Sequence, residues 1–102
     1  SENMNQESIV SKLREDLDIL TNEYSVEKIG IFGSYANNSN NDDSDIDLVV
    51  KFKKPIGFKY FELIEFLEKE FGKKIDIITD MGLKGIRVSN VEKSIEESVI
   101  YV

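Results

Sequence analysis

The sequence predicts an α/β domain: a small mixed β-sheet packed against helices. Three observations point there. Apolar residues recur at spacings of three and four over residues 5–22 and 57–71, the pattern of helices with one buried face. Short β-prone apolar runs at 26–32, 45–52 and 73–79 alternate with them. The segments between are short and polar, and mark turns rather than linkers. All 102 residues therefore read as one domain, 1–102, with residues 1–4 expected to be disordered or an expression remnant.

The elements follow in order. In the first helix Ile9, Leu13, Leu17, Leu20 and Tyr24 form the buried stripe, Asn5 is the candidate N-cap, and Glu7 favours the first turn. The first strand, 26–32, ends in Lys28-Ile29-Gly30-Ile31-Phe32 and runs straight into Gly33-Ser34. Residues 34–38 are expected to form a helical turn capped by Ser34, followed by a polar loop over 37–43. The second strand, 45–52, puts Asp45, Asp47 and Val49 on one face and Ile46, Leu48 and Val50 on the other. Lys51, Lys53 and Lys54 read as a solubilising strand end; their functional alternative is contact with phosphates or an acidic partner. The second helix, 57–71, buries Tyr60, Leu63, Ile64, Leu67 and Phe71, and stops at Gly72. In the third strand, 73–79, Asp76 interrupts the apolar Ile75, Ile77 and Ile78, so it must face a cation or solvent. A loop over 80–88, a short helix over 90–97 capped by Asn90, and an edge strand over 98–102 complete the chain.

Composition narrows the chemistry. The net charge of −7 disfavours direct binding of nucleic acid. Cysteine and histidine are both absent, which excludes thiol catalysis, disulfides and cysteine-bound zinc, and removes the usual general base. Acid–base work falls to Asp, Glu, Lys or Tyr, and an oxygen-ligated metal is favoured over the alternatives. No apolar run reaches the length of a membrane span, no secretory signal is visible, and a cytoplasmic location is expected.

The chemistry concentrates in Gly33-Ser34 and Asp45-Ile46-Asp47. Two carboxylates at i and i+2 on one strand face repel each other unless something positive sits between them, and a hard divalent cation is the simplest candidate. Glycine allows close backbone approach, and the free N–H groups of a helical turn suit phosphate. A solvated edge strand behind a polar turn would look similar; the combination of both motifs, each at a strand end, is more specific.

At these residues the chain resembles the nucleotidyltransferase superfamily with the polymerase β-like fold, whose signature is Gly-Ser, a spacer, then Asp-x-Asp. It is most similar to the minimal nucleotidyltransferases, antitoxin-type partners of HEPN-domain toxins. Tyr35, Asn37 and Asn38 stand where minimal members often carry arginine and glycine shortly after Gly-Ser; asparagine tolerates the left-handed conformation. The resemblance implies that Asp45, Asp47 and Asp76 are catalytic and bind Mg2+, and that Gly33 and Ser34 bind the phosphates of ATP. It further implies transfer of AMP to a hydroxyl, a tyrosine of a HEPN toxin. Two alternatives remain at this stage: a non-catalytic module that neutralises its partner by contact, and an aminoglycoside-type enzyme with a small acceptor.

Overall fold

Residues 4–79 and 99–102 are described by the structure, a computed structural model. Helices α1 (Gln6–Glu15) and α2 (Leu17–Tyr24) open the chain. Asn5 and Ser8 cap α1 reciprocally: the Asn5 side chain accepts from the Ser8 amide at 2.8 Å, and the Ser8 hydroxyl accepts from the Asn5 amide at 2.9 Å. Met4 packs against the core, so the fold already includes the last of the four residues expected to lie outside it. The periodicity predicts one helix over 5–22, and the structure corrects this. Asp16, at φ −93° and ψ 2°, ends α1 and begins α2. The break keeps the phase of the stripe, so Ile9, Leu13, Leu20 and Tyr24 still reach one core.

Strand β1 (Val26–Phe32) pairs antiparallel with β2 (Ile46–Phe52). Helix α3 (Lys59–Phe71) then carries the chain to β3 (Ile75–Thr79), which pairs parallel with β2. Strand β4 (Ile100–Tyr101) pairs antiparallel with β1, giving the order β3-β2-β1-β4. This is the mixed sheet the pattern predicts. One face carries Ile29, Ile31, Ile46, Leu48 and Val50 into a core shared with Leu63 and Leu67 of α3 and the stripe of α1 and α2. Each such buried side chain contributes roughly 1.5–3 kcal/mol. A register shift between Val26 and Lys28 keeps Val26 on the core face despite its odd spacing from Ile29.

Helix α3 starts at Lys59 rather than at Gly57, which adopts φ +58° in the preceding turn. It ends as predicted, at Gly72 in the left-handed region, whose amide donates to the Glu68 carbonyl at 2.8 Å. The third strand begins at Ile75, two residues later than expected. The loop expected over 80–88 and the short helix expected over 90–97 lie outside the described residues. Of the edge strand expected over 98–102, Ile100 and Tyr101 are in β4. No helix of the described residues is long and apolar enough to cross a membrane.

Candidate active site

Strand pairing decides where the predicted carboxylates go. Asp47 and Asp76 are register partners on parallel neighbours β2 and β3, which lie roughly 4.8 Å apart. Ile46, Leu48 and Ile75 belong to the core, so alternation turns Asp47 and Asp76 to the opposite face of the sheet. Asp45 immediately precedes β2, two residues from Asp47. Asp76 is exposed and Asp47 half-buried. The Asp47 carboxyl is pushed above the usual carboxylate range, first by burial and then by the charges of Asp76 and Asp45.

On its other side Asp47 is the register partner of Phe32, the last residue of β1. Gly33 therefore emerges directly beside it. A Cβ at Gly33 would run into Asp47 Oδ2 and lie 3.3 Å from Cγ, and the backbone there has φ +72°. The left-handed backbone favours glycine, and any Cβ would have to turn the Asp47 carboxylate aside. The Gly33 carbonyl accepts from the amides of Ala36 and Asn37 at 3.1 and 3.2 Å, and the Ser34 carbonyl from the Ser39 amide at 2.9 Å. The helical turn thus starts one residue earlier than expected: the Gly33 carbonyl opens it, in place of a Ser34 side-chain cap. The amides of Ser34 and Tyr35 have no acceptor among the described residues, which suits them to an anion. Asn38 closes the turn at φ +62°, the left-handed conformation that asparagine tolerates.

Two residues of this turn's support are not singled out by the motifs. Tyr35 is 1% exposed and sinks the turn into the core; an aromatic side chain inside an otherwise polar stretch was the available signal. Gln6 of α1 donates through Nε2 to the Ala36 carbonyl at 2.6 Å, a contact across the fold that no local pattern shows. The lysines lie elsewhere. Lys53 is six residues beyond Asp47 along β2, roughly 20 Å at about 3.3 Å per residue. Lys51 pairs with Glu27 at 3.2 Å. That separation places Lys53 well along the sheet from the Asp47 carboxyl.

Among the described residues no three carboxylates, as their side chains stand, form a group that could hold a metal ion. The donor chemistry nonetheless fits a hard cation. Among the described residues Asp45, Asp47 and Asp76 offer carboxylate oxygens there, and Asp47 is raised first by burial and then by the negative charges of Asp76 and Asp45, which a cation would offset.

A carboxylate pair across two parallel strands stands next to a glycine turn whose Ser34 and Tyr35 amides have no acceptor among the described residues, an arrangement suited to an α/β domain of the nucleotide-transfer type. The chain belongs to the nucleotidyltransferase domain family, whose model matches residues 10–102. A relative from Methanocaldococcus jannaschii, provisionally named a protein adenylyltransferase, is 46% identical over 93 residues, covering 88% of this chain and 90% of its own. The protein adenylyltransferase MntA of Thermococcus cleftensis is 35% identical over 97 residues, 94% of each chain. Two solved structures share the fold. One, provisionally described as a minimal nucleotidyltransferase, has a TM-score of 0.75 at 22% identity and 98% coverage of both chains. The other, from the toxin–antitoxin MntA-HpeT, has a TM-score of 0.61 at 16% identity, covering 96% of this chain and 72% of that one.

Proposed function

We propose that this chain transfers AMP from ATP to a hydroxyl of a protein partner, and that it thereby acts as the antitoxin of that partner. The observation that carries the reading is the in-register pairing of Asp47 with Asp76 beside Gly33. The names of its adenylyltransferase relatives and the toxin–antitoxin origin of a structural neighbour support it.

Asp45, Asp47 and Asp76 would hold Mg2+. Bound there, magnesium would stabilise the attacking and leaving oxygens of an in-line displacement. The free amides of Ser34 and Tyr35, with Gly33 allowing close approach, orient the β- and γ-phosphates. Exposed Asp76 accepts the proton of the acceptor hydroxyl. The acceptor oxygen bonds to the α-phosphorus, the bond to the β-phosphate oxygen breaks, and pyrophosphate leaves. A tyrosine of a HEPN-domain toxin is the acceptor we favour. The net charge of −7 would speed encounter with a basic partner surface.

The test mixes the protein with its candidate toxin, labelled ATP and magnesium. Transfer of label to a toxin tyrosine, lost in Asp45→Asn, supports the reading. Equal neutralisation by wild type and Asp45→Asn, without labelling, replaces it with inhibition by contact.

A further inference from the structure

Gln6 lies in the first turn of α1, thirty positions in sequence from its hydrogen-bond partner Ala36. The peptide group joining Ala36 to Asn37 is held at both edges. Its carbonyl oxygen accepts from Gln6 Nε2 at 2.6 Å. Its N–H donates to the Gly33 carbonyl at 3.2 Å. The Gly33 carbonyl belongs to the same peptide group as the Ser34 amide, so fixing one aims the other. Gly33 in turn lies beside the Asp47 carboxylate, with no room for a Cβ between them. A line of contacts therefore runs from α1 through one peptide group to the turn's free amide and to the carboxylate face.

The helix end supporting Gln6 is itself fixed. Asn5 and Ser8 cap it reciprocally, and Ile9 is fully buried one turn on. Gln6 is thus a donor on a rigid element, reaching into a turn that carries Asn38 at positive φ. Tyr35 anchors the turn by packing, and the turn's own bonds from the Ala36, Asn37 and Ser39 amides hold its peptide groups relative to one another rather than to the rest of the fold. Orientation needs a directional contact, and among the described residues the Gln6 amide is the side chain from outside the turn that supplies one.

We propose that Gln6 is a positioning residue: it grips the Ala36–Asn37 peptide and so aims the Ser34 and Tyr35 amides at the phosphates of the bound nucleotide. The nucleotide part rests on the function proposed above; the grip on the turn does not. Gln6→Met keeps length and packing but has no donor, whereas Gln6→Lys restores a donor on a longer stem.

Two readouts separate the claims. The first is amide exchange at Asn37 by nuclear magnetic resonance, without nucleotide. Loss of one net hydrogen bond predicts about fivefold faster exchange in Gln6→Met. Gln6→Lys should restore wild-type exchange, with the β1–β2 amides unchanged throughout. The second is transfer kinetics. KM for ATP should rise about fivefold in Gln6→Met with kcat within about twofold, because the lost contact orients bound phosphate rather than the reacting atoms. Unchanged Asn37 exchange overturns the proposal, as does a loss of β1–β2 protection equal to that of Asn37. Faster exchange with an unaltered KM also overturns it, since the turn would then move without consequence for the nucleotide. If wild type neither binds nor transfers ATP, the proposed function and the nucleotide role of Gln6 both fall, and Asn37 exchange alone decides whether Gln6 holds the turn.

Discussion

Replacing Asp16 by asparagine should stabilise this protein above neutral pH and lose that advantage in acid. Asp16 forms the elbow between α1 and α2, is 8% exposed, and its Oδ2 has no hydrogen-bond partner among the described residues. Its carboxyl is pushed from an ordinary 3.8 to about 6, first by burial, then by a hydrogen bond to Glu70 that requires the proton and by the Glu70 charge. Glu15 adds to the rise and Lys12 opposes it; Lys12 also pairs with Glu70 at 3.6 Å. The native state therefore keeps a proton that the unfolded chain releases near 3.8. The associated stability is fully present below about pH 4 and is lost as pH rises through about 6. The span from 3.8 to about 6 corresponds to about 3 kcal/mol. Asparagine carries a permanent donor toward Glu70 and no charge, and Asp16 makes no side-chain capping bond that it would sacrifice. Urea unfolding of both proteins at pH 4, 6 and 8 measures the difference directly, since effects of the other carboxylates cancel. Asp16→Asn should lead by up to about 3 kcal/mol at pH 8, and the lead should fall to within about 1 kcal/mol at pH 4. A lead that does not change with pH, or a less stable variant at pH 8, would refute the shared proton.

Gly33→Ala should cost about 1–2 kcal/mol in backbone strain. Displacement of Asp47 should reduce transfer on the order of a hundredfold, far beyond what the fall in Tm accounts for. Magnesium with ATP at a hundredfold excess over Kd should add about 2.7 kcal/mol to wild type. Asp47→Asn should lose most of that gain, while its Tm without divalent cation rises because it relieves repulsion from Asp76 and Asp45; an unchanged wild-type melting curve at millimolar ligand would count against a nucleotide site. Gly30→Ala should cost about 1–3 kcal/mol by overpacking, because its Cβ would meet Val99 Cγ1 at 2.8 Å and the Ile100 carbonyl and Tyr101 Cδ1 at 2.9 Å. Exchange of the Val102 amide, bonded to the Ile29 carbonyl at 2.9 Å, should then accelerate ahead of the β1–β2 ladder.

What the sequence reveals here depends on the range of the interaction. Caps at Asn5 and Gly72, and the alternation that sets Asp45 and Asp47 apart from Ile46 and Leu48, are local, and the structure shows the same elements. Asp76 was legible because a charge inside an apolar strand has few tolerable surroundings. Its register with Asp47 was not, since pairing depends on how α3 returns the chain to the sheet. The break at Asp16 escaped because it preserves the apolar phase across the elbow. The early start of the turn at Gly33 escaped because glycine and serine both serve as helix caps, and contact with Asp47 favours the former. Gln6 carries no local signal: a glutamine in a first helical turn looks like any solvated residue until Ala36 is brought against it.

The sheet order also ranks the strand pairings by the length of loop each must close. β1 and β2 are joined by a single polar loop, and β2 and β3 by one crossover helix, so both pairings that build the carboxylate face close comparatively small loops. β4 is different: Tyr101 pairs with Gly30 from the far end of the chain, at the greatest entropic cost of closure, and with only two strand residues in return. The order of loop closure thus separates the carboxylate face, made by nearby segments, from the sheet edge, which the last residues complete. Lys28, whose ammonium rests 4.0 Å from the centre of the Tyr101 ring, acquires that partner when the edge closes. The carboxylates meet across the shorter closures, so their repulsion opposes pairings that chain entropy opposes least.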